Sequence, residues 1–253
     1  PYRNKPAYDD TIQAECGLPH VQSLLTGEPG FVATIIADKV AGLTALYASM
    51  MALFHHARTG EGQEVEVGMF ETMASFMLVE HASGKLFDPE LGPANYHRVV
   101  SRNRKPYKTS DGYIAALVYN DRQWNNFIDA VKPAWNCAEF DTLELRAKQI
   151  DRVYGLLGET FATRTTQEWL DLLRELNVPV APLRSTDDLF DNPHLNAIDF
   201  FETVPSPYGN MRFPGIPTWF SKTPGKVAGP PPTLGQHNDE LLDRDEPTLG
   251  DRS

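Results

Sequence analysis

Asp38 is the residue around which chemistry is most readily built. It stands between an apolar, β-branched run, Phe31 to Ala37 (FVATIIA), and a strongly patterned segment that begins at Lys39. Aspartate is a preferred helix N-cap, because its side-chain oxygen accepts hydrogen bonds from the first unpaired backbone N–H groups. The same place suits a nucleophile. The helix dipole and free N–H groups favour the ionised carboxylate, and a carboxylate must be ionised to attack an electrophile. Spacing alone leaves both roles open, and they are compatible. Other titratable groups offer less. His55 and His56 fall at the end of the patterned segment with no carboxylate at ligand spacing, so they read as cations complementing the dipole. His237, in GQHND, reads as a surface capping residue. Arg98, Arg102, Arg104, Lys105 and Lys108 form a local basic cluster that is either a solvated loop or a contact for one anionic ligand. Cys16 and Cys137 lie in unrelated contexts, so neither a disulfide framework nor a metal site is expected. No GxSxG elbow, P-loop or GxGxxG fingerprint is present.

The elements that must position Asp38 follow from periodicity. FVATIIA predicts a buried strand or extended segment. From Lys39 to Arg58, Val40, Leu43, Leu46, Tyr47, Met50, Met51 and Phe54 recur at three- and four-residue intervals, which predicts a helix stopped at Gly60. Gln63 to Met69 (QEVEVGM) alternates and predicts a second strand, and Phe70 to Gly84 a second helix. Strand, helix, strand, helix in this order suggests an α/β layer architecture. A short helix is expected over Thr11 to Cys16. After a polar loop, Lys105 to Tyr119 reads as a hairpin turning at Ser110-Asp111-Gly112. Helices follow: Arg122 to Val131 capped by Asp121, Leu143 to Phe161, and one opened by the capping box of Thr165 and Glu168 and running to Leu176. Val178 to Leu183 is extended, and Asp188 to Phe200 holds one or two short helices. The proline-rich stretch 204–232 predicts extended surface segments, and Leu234 to Leu242 a short helix.

Composition bounds the function. The chain has 253 residues, 41% of them hydrophobic and 10% aromatic, enough for one or two buried cores. Its formal net charge is -11, with no long basic run, which argues against nucleic acid. No apolar run approaches the roughly 18 residues that span a bilayer; the longest, Ala41 to Phe54, is interrupted by Thr44 and Ser49. No membrane partner is therefore expected, and a reducing cytoplasm is the expected compartment.

A resemblance adds to this reading. Ala37-Asp38, Gly42-Leu43 through Leu53, Arg58-Thr59-Gly60-Glu61-Gly62-Gln63 and Val65-Glu66-Val67 are together similar to the family III CoA-transferases, which include formyl-CoA and carnitinyl-CoA transferases and the related 2-methylacyl-CoA racemases. Further matches are Pro6-Ala7-Tyr8, Thr109 through Ile114, Gln123-Trp124, Val178 through Pro182, Asn192 through Leu195 and Leu234 through Glu240, so the likeness covers nearly the whole chain.

The resemblance implies an α/β fold in which part of a Rossmann-like large domain carries a smaller α+β domain. Residues 1–85 and 186–253 would belong to the former and 86–185 to the latter. It implies an interlocked homodimer, with acyl-CoA and a carboxylic acid as substrates and no metal. The opening at Pro1 implies an N-terminal portion beyond this sequence that contributes much of the CoA pocket. Asp38 matches the catalytic aspartate. Tyr8 matches a tyrosine beside the CoA thioester, and Asp9 an acidic residue of the pocket. Met69 matches a methionine against CoA, and Lys5 lies one residue from a lysine that meets CoA phosphates. Two departures follow from the same matching. The family's glycine-rich loop corresponds to Val99 to Lys108, which has no glycine; this puts that loop's role in doubt and suggests that Arg102 or Arg104 pairs a second carboxylate on the substrate. The racemase branch carries a histidine where this chain has Tyr8. A phenol with a pKa near 10 is a poor base at neutral pH, which favours transferase over racemase. The remaining alternative is a non-catalytic chain that needs a separate N-terminal partner.

Overall fold

The computed structural model describes residues 1–2 and 4–242. The chain forms two compact units, Pro1–Leu183 and Arg184–Ser253.

The first unit opens with four helices. They are α1 (Asp9–Glu15), α2 (Leu18–Thr26), α3 (Ile36–Thr59) and α4 (Met69–His81). Ile12, Leu18, Ala37, Met73 and Met77 form their shared core. Gly60 ends α3 in the left-handed conformation at φ 78°, where a Cβ is strained, and its N–H closes on His56 O. Neither strand expected in this region forms. Phe31 to Ile35 is a loop pinned by the Val32 N–H donating to Gln13 Oε1 at 3.0 Å, and helix geometry begins at Ile36. Residues 63–67 have no regular secondary structure and are mostly exposed. A β-branched or alternating run becomes a strand only when a neighbouring strand takes its backbone groups, and among the described residues none lies beside either run.

α3 forms as expected, and its two stripes divide between core and surface. Beyond Ile36 and Val40, which pack half-buried on the core, the residues it turns inward are small: Ala37 and Ala41 are buried, and Thr44, Ala45, Ala48 and Ala52 half-buried. The large apolar series Leu43, Leu46, Tyr47, Met50, Met51 and Phe54 is exposed. Small residues let α3 approach α1 and α4 closely, and the bulky stripe of the same helical period is left outside. By length and composition α3 is also long and apolar enough to cross a membrane. Thr44 and Ser49 interrupt the apolar run without interrupting the helix.

The rest of the first unit builds a three-stranded antiparallel sheet from β1 (Tyr107–Lys108), β2 (Tyr113–Ala116) and β3 (Val180–Pro182), in that order. Tyr107 pairs with Ile114 and Ala115 with Ala181. Around its core pack α5 (Asp121–Val131), α7 (Ile150–Phe161) and α8 (Thr166–Glu175), and α6 (Leu143–Lys148) lies against α7. The core is aromatic: Trp124, Phe127, Phe140, Phe161 and Trp169 are fully buried. The hairpin and the Thr165–Glu168 capping box form as expected, Glu168 N–H donating to Thr165 Oγ1 and Thr165 N–H to Glu168 Oε2. Two local details change. The cap of α5 is Asn120, whose Oδ1 accepts from Gln123 N–H at 2.9 Å. Asp121 instead pairs with the buried Arg146 at 2.5 Å. The helix expected over 143–161 is broken at Gln149, which has non-helical backbone at φ -125° and ψ 30°.

In the second unit α9 (Pro193–Ala197) precedes the hairpin of β4 (Phe201–Ser206) and β5 (Gly209–Pro214), and α10 (Asn238–Leu241) follows it. The hairpin occupies part of the stretch expected to be extended surface. Phe190 stacks on Phe201 at 5.0 Å between ring centroids, and the Arg212 guanidinium lies 4.3 Å from the Phe201 ring.

Candidate active site

Asp38 is not the cap of its helix. The N-cap position of α3 belongs to Ile35, whose side chain cannot accept a hydrogen bond. The acceptor comes from α1. Asp9 Oδ1 takes the N–H of Ala37 at 2.7 Å and of Asp38 at 3.1 Å. Its Oδ2 takes Gln13 Nε2 at 2.5 Å. Gln13 is fully buried, and its own oxygen holds the Val32 N–H. A two-residue clamp, Asp9 and Gln13 at i and i+4, thus fixes both the loop before α3 and the first turn that carries Asp38. Asp9 is itself nearly buried. Burial alone would raise its pKa, but the Gln13 amide, the two backbone N–H groups and the nearby Lys39 charge outweigh it, so Asp9 stays below the usual aspartate range.

This arrangement frees Asp38 from structural duty. Its side chain sits in the first turn of α3, exposed, with no hydrogen bond or ion pair to another described residue. The N–H groups expected to stabilise it are already taken by Asp9. Asp38 is therefore an exposed carboxyl side chain on a turn whose backbone is held by Asp9.

The other sequence-selected residues fall on neighbouring elements. Tyr8 is the N-cap residue of α1 and is 81% exposed, so its phenol is available; its backbone N–H donates to Thr11 Oγ1 at 2.8 Å. Through Asp9 it lies at the same helix junction as Asp38. Met69 is the first residue of α4 and packs half-buried on the cluster that includes Ile36 and Val40. Lys5 pairs with Glu15 at 3.3 Å and sits 3.6 Å from the Tyr2 ring, while Tyr2 packs on Phe70 next to Met69. The helix starts thus bring Tyr8, Asp9 and Asp38 together and set Met69 on the same core; Lys5 is engaged at the far end of α1. The residue that sequence reading passed over is Gln13. Its only local signal is its place four residues after Asp9.

The basic loop divides. Arg98 is drawn inward, its Nε donating to Tyr154 Oη at 3.1 Å. Arg102, Arg104, Lys105 and Lys108 are exposed. Ser101 and Asn103 anchor the loop on Asp151, at 2.7 Å to Ser101 Oγ and 3.2 Å to the Asn103 N–H. Those hydrogen bonds, Ser101's first, outweigh burial and hold Asp151 below its ordinary pKa. His55 and His56 are exposed near the carboxyl end of α3, and His237 is the N-cap residue of α10, 3.6 Å from Glu240. Both cysteines are free. Among the described residues no group of three or more His, Cys, Asp or Glu is placed to hold a metal ion.

The chain matches known proteins in sequence and in its mixed α/β fold. Residues 1–238 match the family described as CoA-transferase family III, and the chain belongs to that family. It is 28% identical to an acyl-CoA transferase of Fusarium pseudograminearum over 96% of this chain and 54% of that protein. It is 26% identical to the succinyl-CoA:mesaconate CoA-transferase of Haloarcula marismortui, over 95% of this chain and 61% of that protein. Its fold is similar to the crystal structure of a CAIB/BAIF family protein from Brucella suis, with TM-score 0.74, 23% identity, and 96% of this chain and 64% of that one covered. The chain spans little more than half the length of the curated relatives it matches.

Proposed function

We propose that this chain is the acyl-carrying part of a CoA-transferase, with Asp38 as nucleophile. The observation that supports this most is the division of labour at the helix junction: Asp9 caps α3, and Asp38 is left exposed and unpaired on the turn so fixed. The reaction is an exchange in four steps. The Asp38 carboxylate oxygen attacks the carbonyl carbon of the donor thioester, and CoA leaves as a thiolate, giving a mixed anhydride. The thiolate attacks the aspartyl carbonyl and releases the donor acid, giving an aspartyl-CoA thioester. The acceptor carboxylate attacks that thioester and regenerates an anhydride with the new acyl group. The thiolate finally attacks the new acyl carbon and frees Asp38. Splitting one exchange into these displacements is the benefit of covalent catalysis. In this reading Tyr8 contacts the thioester and Met69 lies against the CoA chain; the exposure of the Tyr8 phenol supports the first.

The acids to try first are small dicarboxylates, because the Haloarcula relative is named for succinyl-CoA and mesaconate. The test is covalent trapping. The protein is incubated with succinyl-CoA and treated with borohydride or hydroxylamine, and its peptides are read by mass spectrometry. Modification at Asp38, absent in Asp38→Ala, is the expected result. An unmodified Asp38 in protein that turns over the thioester removes the covalent mechanism.

A homodimer belongs to the same proposal. The exposed stripe of Leu43, Leu46, Tyr47, Met50, Met51 and Phe54 supports it, since an apolar face of this size is rarely left in water. Light scattering on the purified protein reads the outcome, twice the 28.3 kDa chain mass being expected.

A further inference from the structure

Each displacement in the exchange proposed above expels an anion beside Asp38, a thiolate or a carboxylate, and developing negative charge needs donors to meet it. The start of a helix usually supplies them as unpaired backbone N–H groups. α3 has none to spare. Ile36 N–H donates to Thr34 O at 2.8 Å and Lys39 N–H to Ile35 O at 3.2 Å, while Asp9 holds the N–H groups of Ala37 and Asp38. The first turn of α3 keeps one set of free donors, on the Lys39 side chain. A helical side chain leans toward the N-terminus of its helix, and Lys39 does so. Its Nζ donates to Thr34 Oγ1 at 2.6 Å, in the loop before the helix begins. An ammonium carries three N–H donors, so two remain. The side chain is exposed, and among the described residues no carboxylate pairs with it, although its charge reaches Asp9. A cation near the start of a helix opposes the dipole, so the stability of α3 gives no reason for a lysine at this position beyond the Thr34 bond.

We propose that Lys39 is a further catalytic residue, the cation that holds the CoA thiolate beside Asp38 between displacements. The proposal rests on the covalent role of Asp38. As the Asp38 oxygen forms its bond to the acyl carbon, the C–S bond breaks and its electron pair stays on sulfur. The unused N–H donors of Lys39 hydrogen-bond that thiolate, and the ammonium keeps its proton. A neighbouring cation keeps a thiolate ionised near neutral pH, and a thiolate retained there is ready to attack the aspartyl carbonyl in the next step. Thr34 fixes the ammonium for both steps.

The rate of Asp38 modification by succinyl-CoA, followed by mass spectrometry over a range of thioester concentrations, tests it. Lys39→Met should lower the saturating rate by about 10- to 100-fold, the lower part of the usual loss for an electrostatic donor because Lys39 is exposed. The half-saturating concentration should stay within about twofold, as for a contact made in the transition state alone. Lys39→Arg, which keeps the charge, should recover most of the rate. The succinyl thioester of 4-nitrothiophenol, whose thiolate is stable without help, should modify the parent and Lys39→Met at nearly equal rates. A lysine of purely structural value would slow both donors alike, and one that serves the CoA phosphates would raise the half-saturating concentration instead. Either result, or a saturating rate in Lys39→Met equal to the parent's, would overturn the proposal while leaving Asp38 as nucleophile. A parent protein in which neither donor modifies Asp38 removes the covalent reading itself, and the role of Lys39 with it.

Discussion

Replacing Asp9 should unfasten the turn that carries Asp38, and the structure supplies the magnitude. Asp9→Ala removes an acceptor for three donors: the N–H groups of Ala37 and Asp38, and Gln13 Nε2. Ala37 and Gln13 are completely buried, so their donors cannot turn to water. A buried donor left without a partner costs about 1–3 kcal/mol, and loss of an N-cap typically costs about 1 kcal/mol. These overlap, and together they predict a loss of about 3 kcal/mol. With a urea m value of about 3 kcal/mol/M, the midpoint falls by about 1 M. Asp9→Asn should cost less, about 1–2 kcal/mol. Its oxygen can still accept both backbone N–H groups, but its amide nitrogen then faces Gln13 Nε2, and Gln13 cannot turn over without releasing the Val32 N–H. The pH dependence is a second signature. Asp9 has a lower pKa folded than unfolded, so as pH falls the unfolded chain takes up the proton first. Its stabilisation is complete above about pH 5, beyond the unfolded value near 3.9, and is lost as pH drops through the folded value. The gap between the parent and Asp9→Asn should therefore be widest near neutrality and shrink below pH 4. Urea titrations followed by far-ultraviolet circular dichroism, repeated from pH 3 to 7, measure both effects. An Asp9→Ala midpoint equal to the parent's, or a gap to Asp9→Asn that ignores pH, would refute the clamp.

Three further outcomes are expected. Asp38→Ala should abolish covalent trapping yet shift stability by less than about 0.5 kcal/mol, because an exposed, unpaired side chain contributes little; the urea midpoint checks this beside the labelling. Arg146→Ala should cost about 3 kcal/mol, through its hydrogen bond to Phe140 O, its ion pair with Asp121 and its contact with Trp124 at 4.7 Å, and Trp fluorescence should report the loosened core. Gly60→Ala should lower the thermal midpoint by the equivalent of about 1 kcal/mol, since φ 78° strains any residue with a Cβ.

What could be read from sequence divides along the range of the interaction. The Thr165–Glu168 box, the Gly60 stop and the 105–119 hairpin are settled by residues within a few positions of one another, and they form as expected. The cap of α3 comes from a carboxylate 28 positions earlier in the chain, and no local window contains it. The run FVATIIA failed for a related reason: β-branched residues permit a strand, but the partner that would make one is not a property of the run. α3 shows a third limit. Its alanine stripe and its bulky stripe share the same 3.6-residue period, so periodicity finds the helix without saying which stripe faces inward. The facing bears on the site. With the small stripe packed against α1, Asp9 comes close enough to take the N–H groups of Ala37 and Asp38, and the Asp38 side chain is turned outward. A bulky inward face would hold α1 at a greater distance and leave Asp38 as the only local acceptor for its own helix, the role that spacing alone suggests. The close packing of alanines is thus what separates the cap from the nucleophile. Enlarging that stripe, for instance Ala41→Leu, should reduce trapping at Asp38 without touching either carboxylate, and unchanged labelling in a folded Ala41→Leu protein would show that the two roles are separable from the packing.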